Sequence, residues 1–253
     1  MKGLLKKVRK MLKNRIAVIT IHKGGFKELF KTIRSINNQI SEPDIHILVI
    51  SKIGYQHAKF FEKKNRKIII NKDKSLYNAM NIALNFSFDY NVVFVNSGDE
   101  FSSKHSIKRI KANLSLNKCL VFKTKIIGNQ IIYYPKKKFF LSKIYKPHPS
   151  FIRPPIKKNI DKIFFNEKNN ITADAEWMEK NLRIFKLKKI DCYISNFYLG
   201  GTTTVPTLKS AIQRLKYGIL NSFKELIKCF IFNIFNKKDF YKIIFSKNFY
   251  YKK

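Results

Sequence analysis

Apolar residues gather in four short runs along the first part of the chain: RIAVITI from Arg15, IHILVIS from Ile45, KIII from Lys67 and NVVFVN from Asn91. They stand about 25 residues apart, and each is followed by a polar or helical stretch. Runs of this length, rich in Ile and Val, read as strands buried on both faces. Their alternation with helical segments predicts βα units on a parallel sheet. Phe26 to Ile36 and Leu76 to Phe86 repeat their apolar residues at helical spacing, and Gly24-Gly25 marks the turn out of the first strand. Beyond Asn96 the pattern is less regular. LVFKTKIIG and QIIYY predict a hairpin around Gly128-Asn129, and Thr172 to Phe185 predicts a helix capped at its start by Thr172.

Both ends of the chain have another character. The first fifteen residues carry seven basic and no acidic side chains, and Leu4, Leu5, Val8, Met11 and Leu12 recur at helical spacing, which predicts a short basic amphipathic helix. From Thr207 onward eleven basic residues face two acidic ones, alongside eleven Phe or Tyr. Within that segment Ile219, Leu220, Phe223, Leu226, Ile227, Phe230, Ile231 and Ile234 form one apolar stripe, with Asn221, Lys224, Glu225 and Lys228 opposite. A stripe this long needs a partner surface: the rest of the chain, a second copy in a homo-oligomer, or a membrane. The organisation that follows is a basic N-terminal helix over 1–14, an α/β domain over 15–206 and a basic, aromatic-rich helical extension over 207–253. No internal repeat and no Pro-, Gly- or Ser-rich linker interrupts it.

Composition bears more on partners than on fold. With 253 residues and 45% apolar content, the chain can bury a sizeable core. Its three cysteines, Cys119, Cys192 and Cys229, are far apart and suggest neither a disulfide framework nor a CxxC metal site, which fits a reducing cytoplasm. No stretch reaches the roughly 18 apolar residues of a membrane span, and the N-terminus lacks the apolar segment of a secretory signal. The formal charge of +36 raises nucleic acid, anionic lipid and phosphorylated substrates as partners. Lysine supplies 44 of the 52 basic residues and accompanies abundant Ile, Asn and Phe, so A/T-rich coding accounts for part of the excess. A single-stranded nucleic-acid binder joins cations to exposed stacking rings. Here the aromatics lie mostly in apolar runs and arginine is scarce at eight residues, so no nucleic-acid partner is expected.

The segment most informative about chemistry is NKDKSLYNAMNIALNFSFDYNVVFVNSGDEF, residues 71 to 101. A helix leads into a buried strand whose C-terminal end delivers Asn96 and Asp99 to solvent. Ligands of parallel α/β sheets bind at that end of the strands. A hard divalent cation bridging phosphates needs only one or two protein oxygens, a role open to Asp99 with Asn96 beside it. Alone, an SGD turn is ordinary loop chemistry. The sequence here resembles the family 2 glycosyltransferases of the GT-A fold, in which a D-x-G-I-Y-D-A-M-N segment precedes an L-N-S-G-D turn. The matching residues are Asp73, Leu76, Tyr77, Ala79, Met80 and Asn81, then Asn96, Ser97, Gly98 and Asp99. HPSFIRP is similar to the family's H-Q-x-x-F-x-R segment through His148, Phe151 and Arg153. ADAEW places Asp174 at the catalytic carboxylate, with Glu176 and Trp177 following, and Gly200-Gly201-Thr202 resembles a Gly-Gly-Ser stretch. Together these cover roughly residues 15 to 205.

The resemblance implies a GT-A-type, Rossmann-like nucleotide-binding domain with a mixed, mostly parallel sheet. It implies inverting transfer from a nucleotide-sugar donor to a glycan or lipid-linked acceptor in cell-surface polysaccharide synthesis. The two basic amphipathic ends, 1–14 and about 208–253, predict docking on the anionic cytoplasmic leaflet near such an acceptor. The cofactor implied is Mn2+ or Mg2+, held by Asp99 with Asn96. Asp174 becomes the catalytic base. Thr20, Asp73, Tyr77, Asn81, Ser97, Gly98, His148 and Arg153 fall on the donor side, and Glu176, Trp177, Gly200 and Gly201 on the acceptor side or behind it. One carboxylate suffices because a diphosphate, neutralised by a cation, leaves without a proton. Plainer roles stand beside these: Asp174 at a helix start can serve the helix dipole, and Tyr77 and Met80 share a helix face suited to packing. The sequence also departs from the pattern. Ser51 ends the second strand where an aspartate holds the base, Ser75 replaces a glycine and Asn78 an aspartate, which leaves an inactive scaffold as the alternative.

Overall fold

The structure, a computed structural model, describes residues 14–23, 25–52, 55–72, 75–128, 130–136, 148–156, 163–169, 173–199, 206–214, 219–246 and 248–252. Most of the expected N-terminal helix, the Thr172 cap, Asp73, Gly200 and Gly201 lie outside the described residues. The chain separates into two compact units, residues 1–124 with 144–196 and residues 125–143 with 197–253.

The first unit opens with β1 (Ile16–His22), α1 (Phe26–Asn37), β2 (Ile45–Ser51), the single turn α2 (Tyr55–Ala58), β3 (Arg66–Asn71), α3 (Leu76–Asn85) and β4 (Asn91–Phe94). Strand β1 pairs in parallel with β2 and β4, and β2 with β3, so the four predicted strands form a parallel sheet in the order β4-β1-β2-β3. Every residue of β1 and β4 is buried, which is why both are apolar without alternation. Helix α1 covers one face, with Leu29 and Ile33 on Leu48 and Ile50, and Ile36 on Ile16, Val18 and Val93. Each such side chain contributes about 1.5–3 kcal/mol when fully buried. Helix α3 packs against β1 and β2. Ser75 caps its start by accepting a hydrogen bond from the Asn78 N–H at 3.3 Å, so the residue that departs from the family glycine has a local job.

After β4 come β5 (Glu100–Phe101), α4 (Ser106–Asn113), β6 (Lys118–Gly128), β7 (Ile131–Pro135), β8 (Phe151–Arg153), α5 (Ala173–Ile184) and β9 (Lys186–Tyr198). Strand β8 runs antiparallel to both β4 and the first part of β6, which makes the sheet mixed. Strand β9, 13 residues long and antiparallel to β5, was not among the predicted elements, although Ile190, Cys192 and Ile194 stand at every second position and pack on the core. One polar thread crosses the apolar interior. Arg66 Nε donates to His46 Nδ1 (2.7 Å), His46 Nε2 meets Thr20 Oγ1 (3.0 Å), and that hydroxyl donates to Val95 O (2.8 Å). Since Arg66 can only donate, the imidazole is neutral with its proton on Nε2. Burial, then the charges of Arg66 and Lys63, hold its pKa well below the usual histidine range.

The second unit holds the predicted hairpin, in which Ile126, Ile127 and Gly128 of β6 pair with Tyr133, Ile132 and Ile131 of β7. It also holds α6 (Leu208–Arg214), α7 (Ile219–Ile234), α8 (Lys237–Ser246) and β10 (Phe249–Lys252), the last antiparallel to β7. The hairpin thus joins the C-terminal segment, which the composition shift at Thr207 does not mark. Helix α7 spans the predicted stripe but turns it outward. Among its described side chains Ser222 and Glu225 are buried, whereas Leu220, Phe223 and Phe230 are between 59% and 73% exposed.

Candidate active site

The turn after β4 is built by backbone pairing and by one threonine. Val95 and Ser97 extend β4 along β1 through N–H bonds to Ile19 O (2.8 Å) and Ile21 O (3.1 Å). Asp99 N–H then closes the turn on Asn96 O at 2.9 Å. Gly98 sits at φ +101°, a conformation glycine adopts without strain. Thr32 of α1 staples it, its hydroxyl accepting from Gly98 N–H (2.9 Å) and donating to Asp99 O (2.7 Å). Asn96 Oδ1 is buried without a hydrogen-bond partner among the described residues. Asp99 is itself buried, 6% exposed, so the strand end does not deliver it to solvent as the sequence predicts. An amide oxygen and a carboxylate on one turn are the ligand types a hard cation takes. Among the described residues no three His, Cys, Asp or Glu side chains converge, so any metal here depends on ligand oxygens as well.

Beside the turn, His22 Nδ1 and Ser97 Oγ are 2.9 Å apart, and the rings of His22 and His57 are 6.3 Å apart. His22 Nε2 and His57 Nδ1 are buried without a hydrogen-bond partner among the described residues. Burial, then His57, lowers the His22 pKa, and Glu28 opposes this. Neither histidine was singled out from sequence.

A second group gathers at the same end of β4. The His148 ring lies against Phe94 (5.6 Å) and stacks on Phe165 (5.9 Å) and Trp177 (6.4 Å). Its Nε2 is 3.7 Å from Asp174 Oδ2, beyond hydrogen-bond range. Burial lowers the His148 pKa and the Asp174 charge opposes it, so the imidazole is neutral at pH 7. Asp174, 34% exposed at its side chain, divides its oxygens: Oδ1 accepts from Ala175 N–H (2.8 Å) at the start of α5, while Oδ2 faces His148. Both the helix-start role and the chemical role therefore have an atom. Tyr77 hydrogen-bonds to the Asp174 backbone, and burial followed by the Asp174 charge pushes its pKa upward.

The remaining residues frame the group. Trp177 is buried, donates to Ile163 O (3.0 Å) and stacks on Phe165 at 4.8 Å, a packing role. Glu176 accepts from Asn169 (2.7 Å), tying the 163–169 loop to α5. Asn81 holds the same loop, donating to Phe165 O (3.1 Å) and accepting from its N–H (2.8 Å). Glu167, absent from the sequence reading, accepts from Asn81 (2.7 Å) and Asn78 (3.1 Å). An aspartate at 78 would set two carboxylates against each other, which explains the departure to asparagine.

Two predicted donor-side residues lie elsewhere. Thr20 is fully buried in the polar thread described above. Arg153 is 1% exposed and donates to Ser87 O at 3.1 Å, and burial lowers its pKa to about 10. The reason is strand direction: β8 runs antiparallel to β4, so it brings His148 to the C-terminal end and carries Arg153 toward Val92 at the other.

The sheet is mixed, with a parallel β4-β1-β2-β3 part extended by antiparallel strands, and the fold is of the GT-A type seen in the solved structures it resembles. The sequence matches no family model and no curated protein. Solved structures do resemble it. S. aureus TarS 1–349 in complex with UDP-GlcNAc superposes at TM-score 0.60 with 16% identity, over 85% of this chain and 71% of that one. The mannosyltransferase PcManGT from Pyrobaculum calidifontis, in complex with GDP-Man and Mn2+, gives 0.57 with 11% identity, over 90% and 71%. Against a longer S. aureus TarS structure the values are 0.58 and 15%, and this chain spans 43% of its length.

Proposed function

We infer that the chain is an inverting, metal-assisted glycosyltransferase of the family 2 kind, with residues 15–206 as its catalytic part. It moves a sugar from a nucleotide-sugar donor to a hydroxyl of a glycan or lipid-linked acceptor in cell-surface polysaccharide synthesis. The observation that supports this reading is that the Asn96–Asp99 turn follows β4, while the His148 ring, 3.7 Å from Asp174, lies against Phe94, the last residue of that strand. The donors in the TarS and PcManGT structures support the substrate class. Attachment to the cytoplasmic face of a membrane, where a lipid-linked acceptor is presented, belongs to the same reading.

A divalent cation held by Asp99 and Asn96 would supply neutralisation of the departing diphosphate. The chain's own residues do the rest. Asp174 Oδ2 takes the proton of the acceptor hydroxyl as its oxygen bonds to the anomeric carbon, and the diphosphate leaves with the electron pair of the broken bond. His148 faces that carboxylate at 3.7 Å without hydrogen-bonding to it. Tyr77 fixes the backbone at Asp174.

The test is sugar transfer and donor binding, with and without Mn2+ or Mg2+, over a panel of nucleotide-sugars. Asp174→Asn is expected to bind donor normally and lose about 10²–10⁴-fold in transfer, while Asp99→Ala loses the metal-dependent part of donor binding. Normal transfer by both variants overturns the assignment.

A further inference from the structure

We propose that the outer face of α7 is a docking surface for anionic phospholipid bilayers, laid flat in the headgroup layer. The inference deepens one part of the reading above, membrane attachment, and is independent of the chemistry at Asp174. Its basis is an inversion. Leu220, Phe223, Leu226, Ile227, Phe230 and Ile234 recur at 3- and 4-residue spacing on one side of the helix and are 40% to 73% exposed. An apolar arc normally faces the protein. Here the opposite side is tied down instead. Ser222 Oγ donates to Ala211 O (2.8 Å), Glu225 accepts from Ser210 Oγ (3.1 Å), and Lys228 donates to the same carboxylate (3.1 Å). The first two of these bonds reach α6 and fix the rotation of the helix, so the apolar arc cannot turn inward without breaking both buried contacts.

Charge selects the occupant. From Thr207 to the C-terminus eleven basic residues face two acidic ones, a net of 11 − 2 = +9. Both acids are engaged: Glu225 is buried with Lys228, and Asp239 pairs with Asn236 (2.7 Å) and Lys242 (3.7 Å). Exposed Lys224 borders the arc. Two copies packed through this face would set like charges together, whereas an anionic bilayer offers both acyl chains for the arc and phosphates for the lysines. At 16 residues α7 is about 24 Å long, short of the roughly 30 Å hydrocarbon core. No helix of the described residues is long and apolar enough to cross a membrane. Such a helix lies in the interface rather than spanning it.

The experiment is flotation of the full chain with vesicles of phosphatidylcholine alone or mixed with phosphatidylglycerol, comparing wild type, Phe223→Glu/Phe230→Glu and Asp174→Asn. Both phenylalanines are exposed, so the double variant is expected to keep its circular dichroism and melting midpoint. Wild type and Asp174→Asn should float equally with anionic vesicles, and the double variant should bind about tenfold or more weakly. Flotation of the double variant at the wild-type level, or no flotation of wild type, overturns the proposal. So does a wild-type dimer by light scattering that the double variant abolishes while neither floats. Loss of transfer in Asp174→Asn with flotation intact separates the two readings.

Discussion

Helices α1 and α7 are both amphipathic, and they use their faces in opposite ways. Helix α1 presses Leu29, Ile33 and Ile36 into the sheet and keeps one polar residue, Thr32, inside, where it holds the Asn96–Asp99 turn. Helix α7 presses Ser222 and Glu225 inward and leaves its aliphatic and aromatic side chains in solvent. Periodicity shows that a helix has two faces. Which face meets protein is decided by the polar groups that can be satisfied there, because a buried donor or acceptor without a partner costs about as much as a methyl cluster gains.

The contrast can be broken by paired substitutions. Ile33→Ala should cost about 2–5 kcal/mol in chemical denaturation, as a cavity under the sheet, while Phe223→Ala on α7 should stay within about 0.5 kcal/mol. Equal losses would mean the α7 arc is buried after all. Next in size are the polar residues that each helix buries. Thr32→Val and Glu225→Ala should each destabilise by about 1–3 kcal/mol, since Asp99 O loses a donor at 2.7 Å and Lys228 and Ser210 lose a shared acceptor. Thr32→Val should also weaken donor binding, measured by calorimetry, because the turn loosens.

A pH series sharpens the same point for the buried imidazoles of the first unit. His22, His46 and His148 have pKa values lowered in the fold, chiefly by burial, relative to about 6.5 in the unfolded chain. The unfolded chain therefore binds more protons as pH falls below about 6.5, and stability present above that value is lost as pH drops. The melting midpoint should be lower at about pH 5.5 than at about pH 7.5, and His46→Gln should show a smaller drop.

Much of the first unit was legible in the sequence. All four predicted strands form. The helices predicted over Phe26 to Ile36 and Leu76 to Phe86 end within one residue of the observed bounds, because buried parallel strands and amphipathic helices leave strong local patterns. The hairpin at Gly128 was equally local. What the sequence left hidden depends on distant pairing. The return direction of β8 decides that His148, not Arg153, reaches the strand end, and nothing near either residue encodes that direction. Thr20 sits in line with the family pattern, yet its hydroxyl belongs to the His46 thread. Thr32 and Glu167 do their work 66 and 86 residues away in sequence from Gly98 and Asn81, and only the fold connects them.

In the proposed reaction Asp99 and Asp174 act on one transition state. Transfer rates of Asp99→Ala, Asp174→Asn and the double variant test it most directly. Groups that act as a unit are strongly non-additive, so the double variant should be no slower than the worse single one. If instead the two losses multiply, the carboxylates serve separate sites and do not share a reaction.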